Sequence, residues 1–196
     1  MTLIPWSDGR WTTRPAHVAE SDGDLEVTAV EGSDAWRLTS YGFVHDTEHA
    51  LLAPFPQDTA MEVEFTAAFG EQFDQAGLFV RAGAEHWVKA GVEYADGACQ
   101  IGAVVTDGVS DWSLAPMPTW KGRRIRVRVS RSGDALTVRA GTVDAGGACE
   151  LQLVRVIPWD PHLDAEAGPL VCAPSRPGLV VPFHVWRRGE ADASLH

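Results

Sequence analysis

A chain of 196 residues that is 45% apolar and 22% charged has the make-up of one compact soluble domain burying roughly 70% of its unfolded surface, which excludes a disordered polymer and leaves no room for two large domains. Its 27 acidic residues against 16 basic ones give a formal charge of -11, a sign that opposes binding to a nucleic-acid backbone or an anionic membrane.

Period-two alternation recurs from Leu25 to Arg187, and helical periodicity is nearly absent. Leu25 to Val30 and Ala35 to Thr39 open the series of predicted strands. Next, Met61, Val63, Phe65 and Phe69 alternate with Glu62, Glu64 and Thr66, a strand with one face on a core and its glutamates in water. Ala76 to Ala82, Trp87 to Tyr94 and Cys99 to Thr106 follow. Ile125, Val127 and Val129 then alternate with Arg124, Arg126 and Arg128, so the arginine run reads as a solvated sheet face and not as a nucleic-acid patch. Ala135 to Ala140, Cys149 to Ile157, Pro169 to Ala173 and Leu179 to Arg187 complete the set. Turn residues separate these strands, as at Ser21-Asp22-Gly23-Asp24, Asp96-Gly97 and Ser132-Gly133-Asp134. A short helix is expected within Pro161 to Ala167, and residues 187–196 read as a frayed polar tail. About a dozen short strands without intervening helices predict an all-β fold, an antiparallel two-sheet jelly-roll sandwich formed by the whole chain as a single domain.

Cys99, Cys149 and Cys172 are odd in number and widely spaced, which predicts small buried side chains and neither a disulfide framework nor a metal pair. The first residues lack a basic and apolar leader, and no stretch approaches the roughly 18 apolar residues of a membrane span, so a cytoplasmic protein is expected. His45-Asp46-Thr47-Glu48-His49 matches H-x-x-E-H, but that zinc chemistry needs a helix. In a strand-and-turn context residues four apart stand about 13 Å from each other, and no metal is expected. G-x-S-x-G, Walker, G-x-G-x-x-G and EF-hand signatures are all missing, and no cofactor is predicted.

The segment from Asp74 to Tyr94 carries the most chemistry. If its two strands form a hairpin with an odd-numbered loop, every odd-numbered residue falls on one sheet face. That face gathers Gln75, Phe79, Arg81, Trp87, Lys89 and Glu93, while Gly77 and Gly91 leave room for something to approach the backbone. Lys89 is one of only two lysines in the chain. A partly buried ammonium there must be paired, and Glu93 is the nearest same-face acid in sequence. Two readings stay open: a structural ion-pair network, or a ligand cleft. Of the eight tryptophans, Trp112, flanked by Ser110, Asp111 and Ser113, is the first choice for an exposed ring able to stack on a sugar.

The runs Asp74-Gln75-Ala76-Gly77-Leu78, Trp87 to Glu93, Val104-Val105-Thr106 and Ser110-Asp111-Trp112-Ser113, with Trp36, Tyr41-Gly42-Phe43 and Gly168 to Pro174, resemble the domain of unknown function 1349 family. Its members include regulation-of-enolase-like proteins, within the concanavalin A-like lectin and glucanase superfamily. The resemblance implies a jelly roll with a concave face and, by analogy alone, carbohydrate binding. The candidate ligand-binding set is Tyr41, His45, Asp74, Gln75, Arg81, Trp87, Lys89, Glu93, Asp111 and Trp112. The leading expectation is a noncatalytic module for a saccharide or polyol, with Arg81 or Lys89 orienting an acidic group. A sugar-acting enzyme would instead use Glu93 tuned by Lys89, with His45, Asp74 or Asp111 as second group. The resemblance also motivates a protein partner, as in a regulator of a metabolic enzyme, or a homodimer.

Overall fold

The computed structural model describes residues 1–195, in which the alternation becomes seventeen strands and two single turns of 3-10 helix. β1 (Thr2–Leu3), β2 (Arg10–Trp11), β3 (His17–Ser21) and β4 (Asp24–Thr28) come first. A short pair, β5 (Ala35–Arg37) and β6 (Val44–Asp46), precedes β7 (His49–Pro54), β8 (Thr59–Thr66) and β9 (Gln75–Arg81). β10 (His86–Ala95), β11 (Ala98–Asp107) and β12 (Val109–Pro116) form a meander with β9. β13 (Arg124–Ser132), β14 (Ala135–Thr142), β15 (Gln152–Pro158), β16 (Glu166–Cys172) and β17 (Val180–Glu190) complete the chain.

The strands build an all-β antiparallel sandwich. One sheet runs β15-β14-β13-β8-β17-β4-β3 with β1 beside β17, and the other runs β12-β11-β10-β9-β16-β7-β2. β5 and β6 pair with each other as a separate flap. Between the sheets, Leu78 and Val80 on β9 and Val88 and Val92 on β10 share one core with Met61, Val63, Phe65, Ile125, Val127 and Val129. Each such side chain contributes roughly 1.5–3 kcal/mol by leaving water. Alternation therefore placed the inward faces correctly, and what it could not show is what lies on the outward ones.

On the outer face of the first sheet, Glu62 and Glu64 are buried rather than wet. The register sets Glu64 opposite Arg126 and Glu62 opposite Arg128. Arg124 and Arg126 each reach Glu64 at 2.6 Å, while Arg187 and Arg128 hold Glu62 at 2.6 and 2.9 Å. The arginine run is thus the cationic half of an ion-pair ladder. The end of the chain covers it: Asp192 pairs with Arg128 and Arg139, and its N–H donates to Ser130 Oγ at 2.7 Å. Residues 187–190, expected to fray, are the end of β17 held by β8, and His196 lies outside the described residues.

The expected helix within Pro161 to Ala167 is absent. Asp160 accepts a hydrogen bond from the His162 N–H at 2.8 Å, an Asx turn that leads into β16 at Glu166. Six strands not predicted also appear: β1, β2, β3, β6, β7 and β12. β7 is buried on both faces and so shows no alternation, whereas β12 is a largely exposed edge strand with few apolar residues.

The hairpin glycines have a different cause from the one expected. Gly77 pairs with Gly91, which pairs with Gly102 on the next strand. A Cβ on Gly91 would lie 2.3 Å from Ala76 O, and one on Gly77 would lie 2.1 Å from Ala90 O. The room is taken by the neighbouring backbone. Gly91→Ala is accordingly expected to lower stability by about 3 kcal/mol, whereas Gly83→Ala, facing open space, should change it by less than about 0.5 kcal/mol in urea unfolding.

Candidate functional site

The β9–β10 register pairs Trp87 with Arg81, Lys89 with Phe79 and Glu93 with Gln75, so the odd-numbered residues do share one face. This is the outer face of the second sheet, and the β5–β6 flap lies over part of it. Ala35 and Trp36 from the flap pack with Leu52, Phe79, Trp87, Val104 and Leu170 in a second apolar cluster. Trp87 is consequently 2% exposed, a packing residue and not a stacking platform. Beyond that cluster the face opens into a cleft of about 390 Å³, within the size range of small-molecule sites.

Gln75, Lys89 and Glu93 line the sheet side of the cleft, with Asp34 beside them. Lys89 Nζ donates to Asp34 Oδ1 at 2.7 Å and to Gln75 Oε1 at 2.8 Å. Its partner is therefore Asp34 from the segment before β5, not Glu93. Burial works against the Lys89 ammonium, but Asp34 and Glu93 outweigh it and hold its pKa above the usual lysine value. The same bond fastens the base of the flap to β10. The other end is held where the Arg37 N–H donates to Ser110 Oγ at 2.9 Å and the Arg37 guanidinium pairs with Glu85.

Glu93 is 8% exposed, and its Oε1 has no hydrogen-bond partner. Burial pushes its pKa up to about 7, against the pull of Lys89 and with the help of Asp34 and Asp96. Aromatic rings form the opposite walls. Trp36 meets Tyr41 and Trp112 edge-on at 5.6 and 6.0 Å, Tyr41 stacks on Phe43 at 5.2 Å, and Phe43 meets the His45 ring at 4.6 Å. Trp112 is 40% exposed and Tyr41 59%. Phe73, also lining the cleft, has φ of 68°, an unusual conformation for so bulky a residue, held where its N–H donates to Tyr94 O at 2.7 Å.

Of the ten residues singled out by sequence, Tyr41, His45, Gln75, Lys89, Glu93 and Trp112 line this cleft. The other four do not. Arg81 stands at the far end of β9, by a separate depression with Arg131 and Glu166. Asp74 is buried beneath Arg176, which binds it through two bonds of 2.9 and 2.7 Å. Burial opposes its charge, yet Arg176 and the Gly70 and Glu71 N–H groups hold its pKa below the usual carboxylate value. Asp111 lies on the face opposite Trp112 and pairs with Arg155 at 2.8 Å. Trp87 is covered as described. An acid–base pair built on Glu93 thus has His45, and neither Asp74 nor Asp111, in the same cleft. His49 is separately engaged, accepting from the Val30 N–H and lying 3.0 Å from the Thr13 carbonyl. Asp34, Trp36, Phe43 and Phe73 were missed; Trp36 and Phe43 stood within the runs that carried the family resemblance, but no local pattern marked Asp34.

Two measurements check this geometry. Asp34→Asn should cost about 3 kcal/mol in urea unfolding, because it leaves a buried ammonium without its counter-charge. Glu93 works in the opposite sense. Between its ordinary value of 4.5 and about 7 the unfolded chain sheds the proton while the native state keeps it, so stability falls as pH rises through that window. Above about pH 7 the full penalty, on the order of 3 kcal/mol, is present. Glu93→Gln should raise the melting temperature at about pH 8 and change it little at about pH 4.

Comparison with known proteins locates this architecture. "Regulation of enolase protein 1" of Saccharomyces cerevisiae is 32% identical over 180 residues, covering 92% of this chain and 88% of the relative. A crystal structure of a functionally unknown protein from Saccharomyces cerevisiae superposes with a TM-score of 0.88 at 31% identity, over 97% of this chain and 100% of that one. A xylan β-1,4-xylosidase from Bacillus halodurans C-125 shares the fold, with a TM-score of 0.69 at 16% identity over 96% of this chain and 39% of its own. The family described as "Protein of unknown function (DUF1349)" matches residues 11–191, and the chain belongs to that family.

Proposed function

We propose that this protein is a noncatalytic binding module whose cleft accepts a saccharide or related polyol. The observation that carries this reading is that Glu93, whose buried Oε1 has no hydrogen-bond partner, lines a cleft walled by Trp112, Tyr41 and Phe43. Rings of this kind pack on the apolar C–H faces of a sugar, while Gln75, Lys89 and Glu93 supply hydrogen-bonding groups for its hydroxyls. A hydroxyl donating to Glu93 would end the cost of the orphaned acceptor, which is worth about 1–3 kcal/mol. A cytoplasmic location is part of this proposal.

Calorimetric titration with a panel of neutral mono- and disaccharides tests the proposal. Binding that weakens at least tenfold in Trp112→Ala, with the fold intact by circular dichroism, is the expected result. No heat with any sugar, or affinity unchanged in that variant, would overturn it.

A second reading rests on the 32% identical relative named for regulation of enolase. Here the protein acts on a metabolic enzyme through a protein contact, and the flap with its exposed Tyr41 and Phe43 is the surface for it. Co-purification of a reproducible partner that is lost in a Tyr41→Ala/Phe43→Ala double variant is expected; retention of the partner by that variant would remove the flap from the contact.

A further inference from the structure

The cleft has a charge character that bears on its ligand class, and the inference from it rests on the ligand-binding reading above. Three charged side chains surround the Glu93 carboxyl: Lys89 on the same strand, Asp34 ahead of β5, and Asp96 in the β10–β11 turn, with His45 elsewhere on the cleft wall. Lys89 already spends two of its three donors on Asp34 and Gln75. With Glu93 ionised, the trio of Asp34, Lys89 and Glu93 carries one net negative charge. Arg81, the cation expected from sequence to meet an acidic ligand, lies in a different depression. An anionic ligand would therefore face an unpaired carboxylate without a free arginine to offset it.

A cation meets the reverse situation. Glu93 is more than nine-tenths buried, and its Oε1 lacks a partner while the residue lines the same cleft as the rings of Trp36, Tyr41, Phe43 and Trp112. Aromatic walls with one buried carboxylate attract an organic ammonium through the ring quadrupoles and a charge-assisted hydrogen bond. The rings and the carboxylate come from different elements, held together by the Lys89–Asp34 bond. We propose that the ligand of this cleft is an amino sugar or amino polyol, whose protonated amine pairs with Glu93 Oε1 among the rings of the flap and Trp112. The polyol body keeps the contacts described above, and the amine supplies the donor that Glu93 lacks.

The test is a calorimetric series on one carbohydrate body at about pH 7 and low salt: glucosamine, N-acetylglucosamine, glucose and glucose 6-phosphate. Glucosamine is expected to bind at least tenfold more tightly than glucose or N-acetylglucosamine, with glucose 6-phosphate weakest. Glu93→Gln should lower glucosamine affinity at least tenfold, and by a larger factor than it lowers glucose affinity. Glucose binding as well as glucosamine, or glucosamine affinity unmoved by Glu93→Gln, would overturn the inference and leave the neutral-sugar reading standing. Absence of binding by all four compounds would overturn both.

Discussion

A buried ammonium with one charged partner organises this molecule's open face. Lys89 sits in the middle of a sheet, where an unpaired charge would cost several kcal/mol, and the partner that resolves it comes from a segment 55 residues earlier. Joining Asp34 to Lys89 brings the start of the flap onto β10. Trp36 then covers Phe79 and Trp87, while Tyr41, Phe43 and His45 stand along the cleft's wall. This ion pair, together with the Arg37 contacts and the packing of Trp36, fixes which part of the outer face is covered and which part remains open.

The two outer faces treat buried charge in opposite ways. On the first sheet each glutamate is matched by arginines at hydrogen-bond distance, and the end of the chain caps the ladder. On the second, Gln75, Lys89 and Asp34 satisfy one another and leave Glu93 with an idle oxygen. Both buried glutamates of the first sheet are thus paired, whereas the buried glutamate of the second keeps an oxygen without a partner. The orphaned oxygen and the positive φ of Phe73 meet at one cleft on the second face, the face on which we propose that a ligand binds.

The sequence made one half of this legible. Period two in β9 and β10, with the short loop between them, was enough to place Gln75, Lys89 and Glu93 together, because parity in a hairpin is a local property. It was not enough to say what covers them. Trp87 obeys the same parity as Lys89 yet is sealed by Trp36, and Glu62 reads as solvated until Arg128 and Arg187 are known to lie across it. Asp34 could not be found from sequence, since no spacing rule links residues that meet through a long chain reversal. Asp111 was misplaced for a simpler reason: no strand was predicted around Trp112, and once it is strand β12, adjacent residues must point to opposite faces.

That reassignment gives Asp111 another consequence. β12 and β15 are the terminal strands of their sheets, and terminal strands offer unsatisfied main-chain groups to any neighbouring molecule. Arg155 spans the gap between these two rims, donating to Asp111 and to Ser113, while Pro116 and Pro158 close the strands with residues that have no N–H to give. At this end of the sandwich, where both sheets terminate, the strand edges are thereby shielded from pairing with a strand of another molecule.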